Sequence, residues 1–330
     1  MPLQSYGVLK GRPIARRLGE LSNAHYQIHV VDQTTDYRIA VNVKSQLSPS
    51  ELEYLIDGHF RHPITATLPD LPLGFTPLDP KPGGLALDFI RGNLFDRDQM
   101  QPLPFDVPGP NNDLNEAIDT HVQLALADED ALVYAFGERW GPEPQTKDKI
   151  FGFLPGNGIH DIHMNQGNVG RFIEQDGVWQ DGALFLHLPA MERWVAIFLK
   201  FQSQTWHTDD ITGHRIEPGT EGEPDGIVRI IAALVNPVGP APEAETVTLL
   251  NTAPHAIDLS GWAILDKLEH KHMLHRVLAA GETLLIPLPQ SVQLGNKGGI
   301  ITLINQEGLK VHGVSYTKEQ VQREGWTIVL

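Results

Sequence analysis

The sequence predicts an α+β N-terminal domain with a mainly antiparallel sheet, followed by an all-β sandwich at the C-terminus. Three observations lead there. A chain of 330 residues exceeds the roughly 250–300 residues at which a single hydrophobic core stops growing, so two domains are expected. Strand and helix patterns mix over residues 1–215, whereas residues 227–330 hold only short strand patterns between turns. Residues 216–226 contain two prolines and no periodic apolar positions, and read as a linker.

In chain order, "HYQIHVVD" alternates so that Tyr26, Ile28 and Val30 share one face while His25, Gln27 and His29 share the other. "DYRIAVNVKS" alternates in the same way, and the intervening "QTTD" predicts a hairpin. "SPSELEYLIDGHF" offers a serine N-cap, acidic residues in a first turn and Leu52, Leu55 and Ile56 at helical spacing, which predicts a short helix. From Pro63 to Pro110 prolines recur with little periodicity, and "GGLALDFIRG" reads as a strand entering a turn. A helix follows in "NDLNEAIDTHVQLALADED", with Leu114, Ile118, Val122 and Leu126 as its apolar stripe. "ALVYAFGERWG", "ALFLHL" and "RWVAIFLKFQSQTW" are strand-like, and the length of "WVAIFLKF" implies a central strand covered on both faces.

The C-terminal third reads as seven or so short strands, from "IVRIIAALV" to "LKVHGVSY", the pattern of a β-sandwich with Trp262 as a core aromatic. The histidine-rich "HKHMLH" at 270–275 places His270 and His272 on one strand face and His275 on the other, which favours a solvated edge over a metal site.

Composition limits the chemistry. The net charge of −16 leaves no overall basic footprint for a duplex-DNA binder, so a nucleic-acid substrate requires a local basic groove or a bound metal. With no cysteine, thiolate zinc sites, disulfides and thiol nucleophiles are excluded. Neither a signal-peptide pattern nor an apolar run of membrane-spanning length appears, and a cytoplasmic protein is expected, signal-independent export aside.

Two resemblances follow from these segments. "ETVTLLN", "IDLSGWAILD", "GETLLIPL" and "ITLINQEGLKVHGVSY" resemble the lamin tail domain over residues 227–320, through the series Asn251, Leu259, Ser260, Gly261, Trp262 and Asp266. That resemblance implies an immunoglobulin-like sandwich of the kind joined to hydrolases as an accessory module. "YGVLKGRP", "HYQIHVVD", "GGLALDFIRGN", "YAFGERWGPEP", "GNGIHDIHMNQGN" and "AIFLKFQSQTWHTDD" resemble the YukJ-like family, domain of unknown function 2278, over residues 5–215. It implies no catalytic assignment, so each site rests on residue chemistry.

The polar stretch "GNGIHDIHMNQGNVG" at 156–170 is the leading candidate. In a regular strand His160 and His163 would point to opposite faces. The glycines instead predict a loop or bulged strand in which the two imidazoles converge. Asp161 is placed to orient an imidazole or ligate a metal, and Asn165, Gln166 and Asn168 to donate to a phosphate or oxyanion. The alternative is an irregular loop whose amides satisfy their own backbone. His25 and His29 stand about 13 Å apart along a strand, so at most one shares a centre with His160 or His163. Lys44 is a candidate cation for phosphate. "WHTDDITGH" offers His207 and Asp209 as candidate ligands of a hard or borderline divalent ion, against a plain polar loop.

No phosphate-loop, zinc-helix or nucleophile-elbow motif is present, nor the His-x-Lys signature of phospholipase D-like enzymes. The leading expectation is a histidine-dependent hydrolase of phosphodiester or related ester bonds centred on His160, His163, His25 and Asn165. One imidazole acts as base or nucleophile and another as acid, with Lys44, Gln166 and Asn168 holding the substrate. A divalent metal held partly by His160, Asp161, His207 or Asp209 is a variant. The sandwich would target the enzyme to a phosphodiester polymer or protein partner. The second expectation is a non-catalytic binding or adaptor protein.

Overall fold

A computed structural model describes residues 5–19, 25–43, 51–96, 99–104, 113–163, 180–202, 226–240 and 244–330. The chain divides into two compact units, and the division is not a single cut. Residues 61–66 and 88–95 pack with 216–330 in the second unit, while the rest of 1–215 forms the first.

The first unit holds strands β1 (Tyr6–Arg17), β2 (His25–Val31), β3 (Asp36–Asn42), β4 (Glu51–Asp57), β5 (Gly74–Pro77) and β6 (Gln101–Pro104). Helix α1 (Asp113–Ala127) follows, then β7 (Leu132–Glu143), β8 (Gly156–His160), β9 (Ala183–Leu188) and β10 (Arg193–Gln202). All ten strands join one sheet in the order β5-β1-β2-β3-β8-β7-β9-β10-β4-β6. Because β1 also pairs with β7, strands β1, β2, β3, β8 and β7 close into a five-stranded barrel. Among the described strands of this sheet only the β3–β8 contact is parallel, with Arg38 opposite Gly158 and Ile39 opposite Ile159.

Every second residue of the barrel strands points into the interior and fills it. Tyr26, Ile28, Val30, Tyr37, Ile39, Val41, Val133, Ala135 and Ile159 are buried in one cluster, with Leu114, Ile118 and Val122 of α1 packed into it. The hairpin and the helical stripe therefore form as the periodicity predicts. The hairpin turn is fastened by Asp32, whose Oδ1 accepts the N–H groups of Thr34 and Thr35 at 2.7 Å each. Strand β10 is covered on both sides, with Val195, Ile197 and Leu199 in the barrel-side cluster and Phe198 packed edge-on to Phe185 and Phe60.

Three expectations need correction. The first unit is mainly β, with one α-helix among the described residues, so the α+β description does not hold clearly. The helix expected near residues 48–60 is strand β4, paired antiparallel with β10 and β6. Tyr54 and Ile56 pack on the core while Leu55 faces away, a two-residue period that edge pairing selects over the weaker helical spacing. Of the loop and bulged-strand alternatives for the opening of the 156–170 stretch, the strand forms: Gly156–His160 is held between β3 and β7, with a register shift at Trp140–Glu143 of β7, so the loop is the part that needs correction. Gly158 is required there, since a Cβ would run into the Arg38 carbonyl oxygen and the Trp140 indole.

The second unit contains strands β11 (Val228–Leu234), β12 (Thr246–Asn251), β13 (Ile257–Asp258), β14 (Ala263–Leu265) and β15 (Lys271–Met273). Strands β16 (Val277–Leu278), β17 (Thr283–Pro287), β18 (Gly298–Ile304), β19 (Lys310–Thr317) and β20 (Ile328–Val329) complete it. Two four-stranded antiparallel sheets, β17-β12-β11-β20 and β15-β14-β18-β19, share one core that includes Val247, Leu249, Trp262, Ile264, Ile301 and Leu303. The His312 imidazole ties the sheets by accepting the Ile230 N–H at 3.2 Å. Strand β15, with the histidine-rich triplet, lies at a sheet edge, and His270 pairs with Asp266 at 2.9 Å.

The polar residues noted in this part of the sequence organise turns. Asn251 is fully buried; its Nδ2 lies 2.8–3.0 Å from the carbonyls of His255, Leu278 and Ala279, and its Oδ1 accepts the Ala253 N–H. Replacing Asn251 with alanine leaves those groups unsatisfied, and a loss of about 2 kcal/mol is expected in urea unfolding. An unchanged midpoint would mean that the turns hold themselves.

Candidate active site

The alternation that fills the barrel also lays out a polar outer face. On β2 and β3 the residues out of phase with the core are His25, Gln27 and His29, and Arg38 and Ala40, with Gln27 opposite Ala40 and His29 opposite Arg38. On β8 and β7 the register sets His160 opposite Glu138 and Gly158 opposite Trp140. These strands border an open hollow of about 270 Å³ lined by His25, Gln27, Arg38, Ala40, Trp140, Lys149, His160 and Asp161.

Arg38 is the fixed cation of the hollow. It is 7% exposed, its Nε donates to Asp148 Oδ2 at 2.6 Å, its Nη1 donates to Gln27 Oε1 at 2.8 Å, and the guanidinium stands 4.9 Å from the Trp140 ring centre. Asp148 belongs to the segment between β7 and β8, and its Oδ1 accepts the N–H groups of Ile150 and Phe151 at 3.0 and 2.8 Å. Burial alone would raise the Asp148 carboxyl. The Phe151 N–H, Arg38 and the Ile150 N–H outweigh it and hold the group below the usual carboxylate range. Lys149, next in sequence and exposed, supplies a second cation at the rim.

The two imidazoles of the hollow are pushed apart in acidity. Burial, then the charges of Lys149 and Arg38, lower His25 below the ordinary histidine value. Burial also acts to lower His160. It is overcome by the hydrogen bond and charge of Asp161 and by the charge of Glu138, so His160 is raised. Asp161 follows β8 directly with φ +53, a left-handed conformation that an aspartate tolerates better than most residues, and its Oδ2 sits 3.1 Å from His160 Nδ1. Gly182 makes room for this turn, because a Cβ there would strike the Asp161 carbonyl oxygen. The Glu138, His160 and Asp161 side chains offer one nitrogen and two oxygen donors whose ligating atoms lie within 4.8 Å of one another.

The expected centre is thus redistributed. His160 and Asp161 lie in the hollow, and His25 joins them from β2. His163 is not among its lining residues; burial pushes its imidazole down to about 4, and its carbonyl accepts the Gly182 N–H at 2.8 Å. His29 is a structural group, bonded to Asp36 at 2.7 Å and stacked on Phe151 and Phe153 with ring centres 4.9 and 5.0 Å away. Lys44, Asn165, Gln166, Asn168, His207 and Asp209 lie outside the described residues, as does nearly all of the expected linker.

Sequence reading did not single out Arg38, Gln27, Glu138, Trp140 or Lys149. A signal existed for two of them: Gln27 and Arg38 occupy the same polar face of the hairpin as His25. The contributions of β7 depend on its register with β8 and on the closure of β1 against it, which no pattern within β7 itself announces.

A family model described as "Uncharacterized conserved protein (DUF2278)" matches residues 1–213. The chain belongs to the DUF2278 family. It is 44% identical over 214 residues to "Uncharacterized protein YukJ" of Bacillus subtilis (strain 168), an alignment covering 64% of this chain and 93% of that protein. All eight residues lining the hollow fall within the DUF2278 region, so the candidate site belongs to the part of the chain that the family describes.

Proposed function

We propose that the DUF2278 barrel binds a phosphate-bearing ester in this hollow and hydrolyses it. The observation that carries the reading is the convergence of His25, His160, Arg38 and Lys149 on one open hollow in a chain of net charge −16. Arg38 and Lys149 present two cations to an anionic substrate in this hollow, beside the carboxylates of Asp148 and Asp161. Arg38, already oriented by Asp148 and Gln27, is suited to hold two phosphate oxygens, and Lys149 to follow the substrate as a point charge.

His25, kept neutral by burial and by the neighbouring cations, takes the base role. It accepts a proton from the attacking water while the water oxygen forms a new bond to phosphorus. The bond from phosphorus to the leaving oxygen breaks, and that oxygen takes up the proton released from the imidazole. Arg38 and Lys149 offset the developing negative charge.

The shape of the barrel favours a polymeric substrate. His25, Gln27, Arg38 and Ala40 lie on its second and third strands, and Lys149 lies in the loop between its fourth and fifth. That placement resembles the ligand face of small five-stranded barrels that bind oligonucleotides and oligosaccharides, an argument from fold analogy. The second unit is read as an immunoglobulin-like, lamin-tail-like module that targets the enzyme, in the cytoplasm. Among the described residues, no helix is long and apolar enough to cross a membrane.

The test is turnover of single-stranded DNA, RNA and bis(p-nitrophenyl) phosphate by the full chain, with and without added divalent metal. His25→Ala is expected to lower kcat/KM by about 10²- to 10⁴-fold, and Lys149→Ala to raise KM. No turnover of any substrate, or full activity in His25→Ala, rejects the hydrolase. Substrate binding without turnover would identify a binding protein instead.

A further inference from the structure

We propose that Glu138, His160 and Asp161 form a binding site for one divalent transition metal ion of the Mn²⁺ or Zn²⁺ class, at the acidic end of the hollow. The proposal deepens the hydrolase reading and rests on it for the ion's role in the reaction. The ion's place rests on the fold alone.

The site arises from strand register. Antiparallel pairing of β7 and β8 sets Glu138 directly opposite His160, on the outer face of the barrel. The left-handed turn at the next residue carries the Asp161 carboxylate back to the imidazole, 3.1 Å from Nδ1. One ligand atom from each of the three side chains then falls within 4.8 Å of the other two, close enough for small side-chain adjustments to bring all three onto a single ion. All three side chains are partly exposed, so an ion has an entry path.

Two carboxyl groups share this corner, with an oxygen of Glu138 and an oxygen of Asp161 within 4.8 Å of each other. Two negative side chains this close repel one another, and a cation between them relieves that repulsion. A divalent ion satisfies both at once and balances their combined charge.

The donor set selects the ion. An imidazole nitrogen beside two carboxylate oxygens suits Mn²⁺ or Zn²⁺, whereas Ca²⁺ and Mg²⁺ prefer oxygen donors alone. Three protein ligands leave positions open for water and for a substrate oxygen, as catalytic sites require. The neighbouring residues agree with this use. Arg38 and Lys149 line the same hollow as His160 and Asp161, so a phosphate held by the cations would lie beside the ion. The ion would supply Lewis-acid polarisation of the phosphorus centre and a more acidic bound water for His25 to deprotonate.

The experiment titrates MnCl₂ into the chelator-treated full chain and follows loss of the free Mn²⁺ electron paramagnetic resonance signal. Glu138→Gln and His160→Asn are measured in parallel, after circular dichroism shows that each folds. One equivalent is expected per wild-type chain, with affinity at least about tenfold weaker in each variant, since even groups that only support metal ligands cost that much when changed. Failure to bind Mn²⁺ and, in a parallel calorimetric titration, Zn²⁺ overturns the site. So does binding that both variants leave unchanged. Ester hydrolysis that survives chelation would overturn the ion's role while the hydrolase reading stands. Stoichiometric binding lost in the variants, without hydrolysis of any ester, would keep the site and reject the hydrolase.

Discussion

Asp148→Ala is expected to lower the unfolding free energy of the first unit by about 3–5 kcal/mol. The carboxylate is fully buried and its partner Arg38 nearly so, with Nε and Oδ2 at 2.6 Å. Removing the acid leaves a nearly buried guanidinium with Gln27, the Trp140 face and its narrow opening to the hollow for compensation. Two backbone N–H groups, of Ile150 and Phe151, lose their acceptor as well. For a unit of about 200 residues that loss corresponds to a fall in Tm of roughly 10 °C.

A double substitution separates the charge from the turn. Arg38→Met with Asp148→Ala removes both ions and should recover much of the loss, because an apolar replacement for a buried pair is often close to neutral. Urea denaturation of the two single variants and the double completes the cycle. A loss below 1 kcal/mol in Asp148→Ala would show that solvent reaches the pair and that Arg38 is not a fixed element of the hollow.

The second large effect is on pH. In the second unit His62 is 6% exposed; its Nε2 donates to the Gly92 carbonyl at 2.9 Å, and its Nδ1 accepts the Ile64 N–H at 3.1 Å. Both ring nitrogens are committed, and the neutral form alone satisfies both bonds. Burial pushes the imidazole down to about 4; the Gly92 carbonyl acts to raise it, and the charge of Lys267 to lower it further.

A histidine depressed in the folded state makes the unfolded chain the stronger proton binder. Its contribution is therefore complete above the unfolded value near 6.5 and is lost as pH falls toward 4. The loss approaches about 3 kcal/mol at the lower end. Urea midpoints of the second unit should fall across that window in the wild type. His62→Gln, which cannot titrate, should be less stable at pH 7 but with a flatter dependence below it. Equal slopes for the two proteins would place the acid sensitivity elsewhere.

Much of the scaffold was legible. The outward row His25, Gln27 and His29 and the inward row Tyr26, Ile28 and Val30 followed from a two-residue period, and so did the helical stripe of α1. Strand β4 was misread because Leu52, Leu55 and Ile56 satisfy a helical spacing within a segment that also alternates. Its pairing with β10 and β6 decides the matter, and neither neighbour is adjacent in sequence. The site was half legible. His160, Asp161 and His25 stood out by residue type. His163 stood out equally, although it lies beyond the turn, where burial rather than chemistry sets its state.

By itself the sequence determined which side of the β2–β3 hairpin faces oil and which faces water, because alternation is a local property that those segments carry without their neighbours. It also excluded thiolate chemistry outright. Only the tertiary structure decided which polar faces meet. The parallel contact of β3 with β8 and the closure of β1 on β7 bring positions 25, 38, 140 and 160 around one hollow. Register between distant strands is a collective outcome of barrel closure and hydrogen bonding, so a buried pair such as Arg38 and Asp148 has no signature until the chain has folded around it.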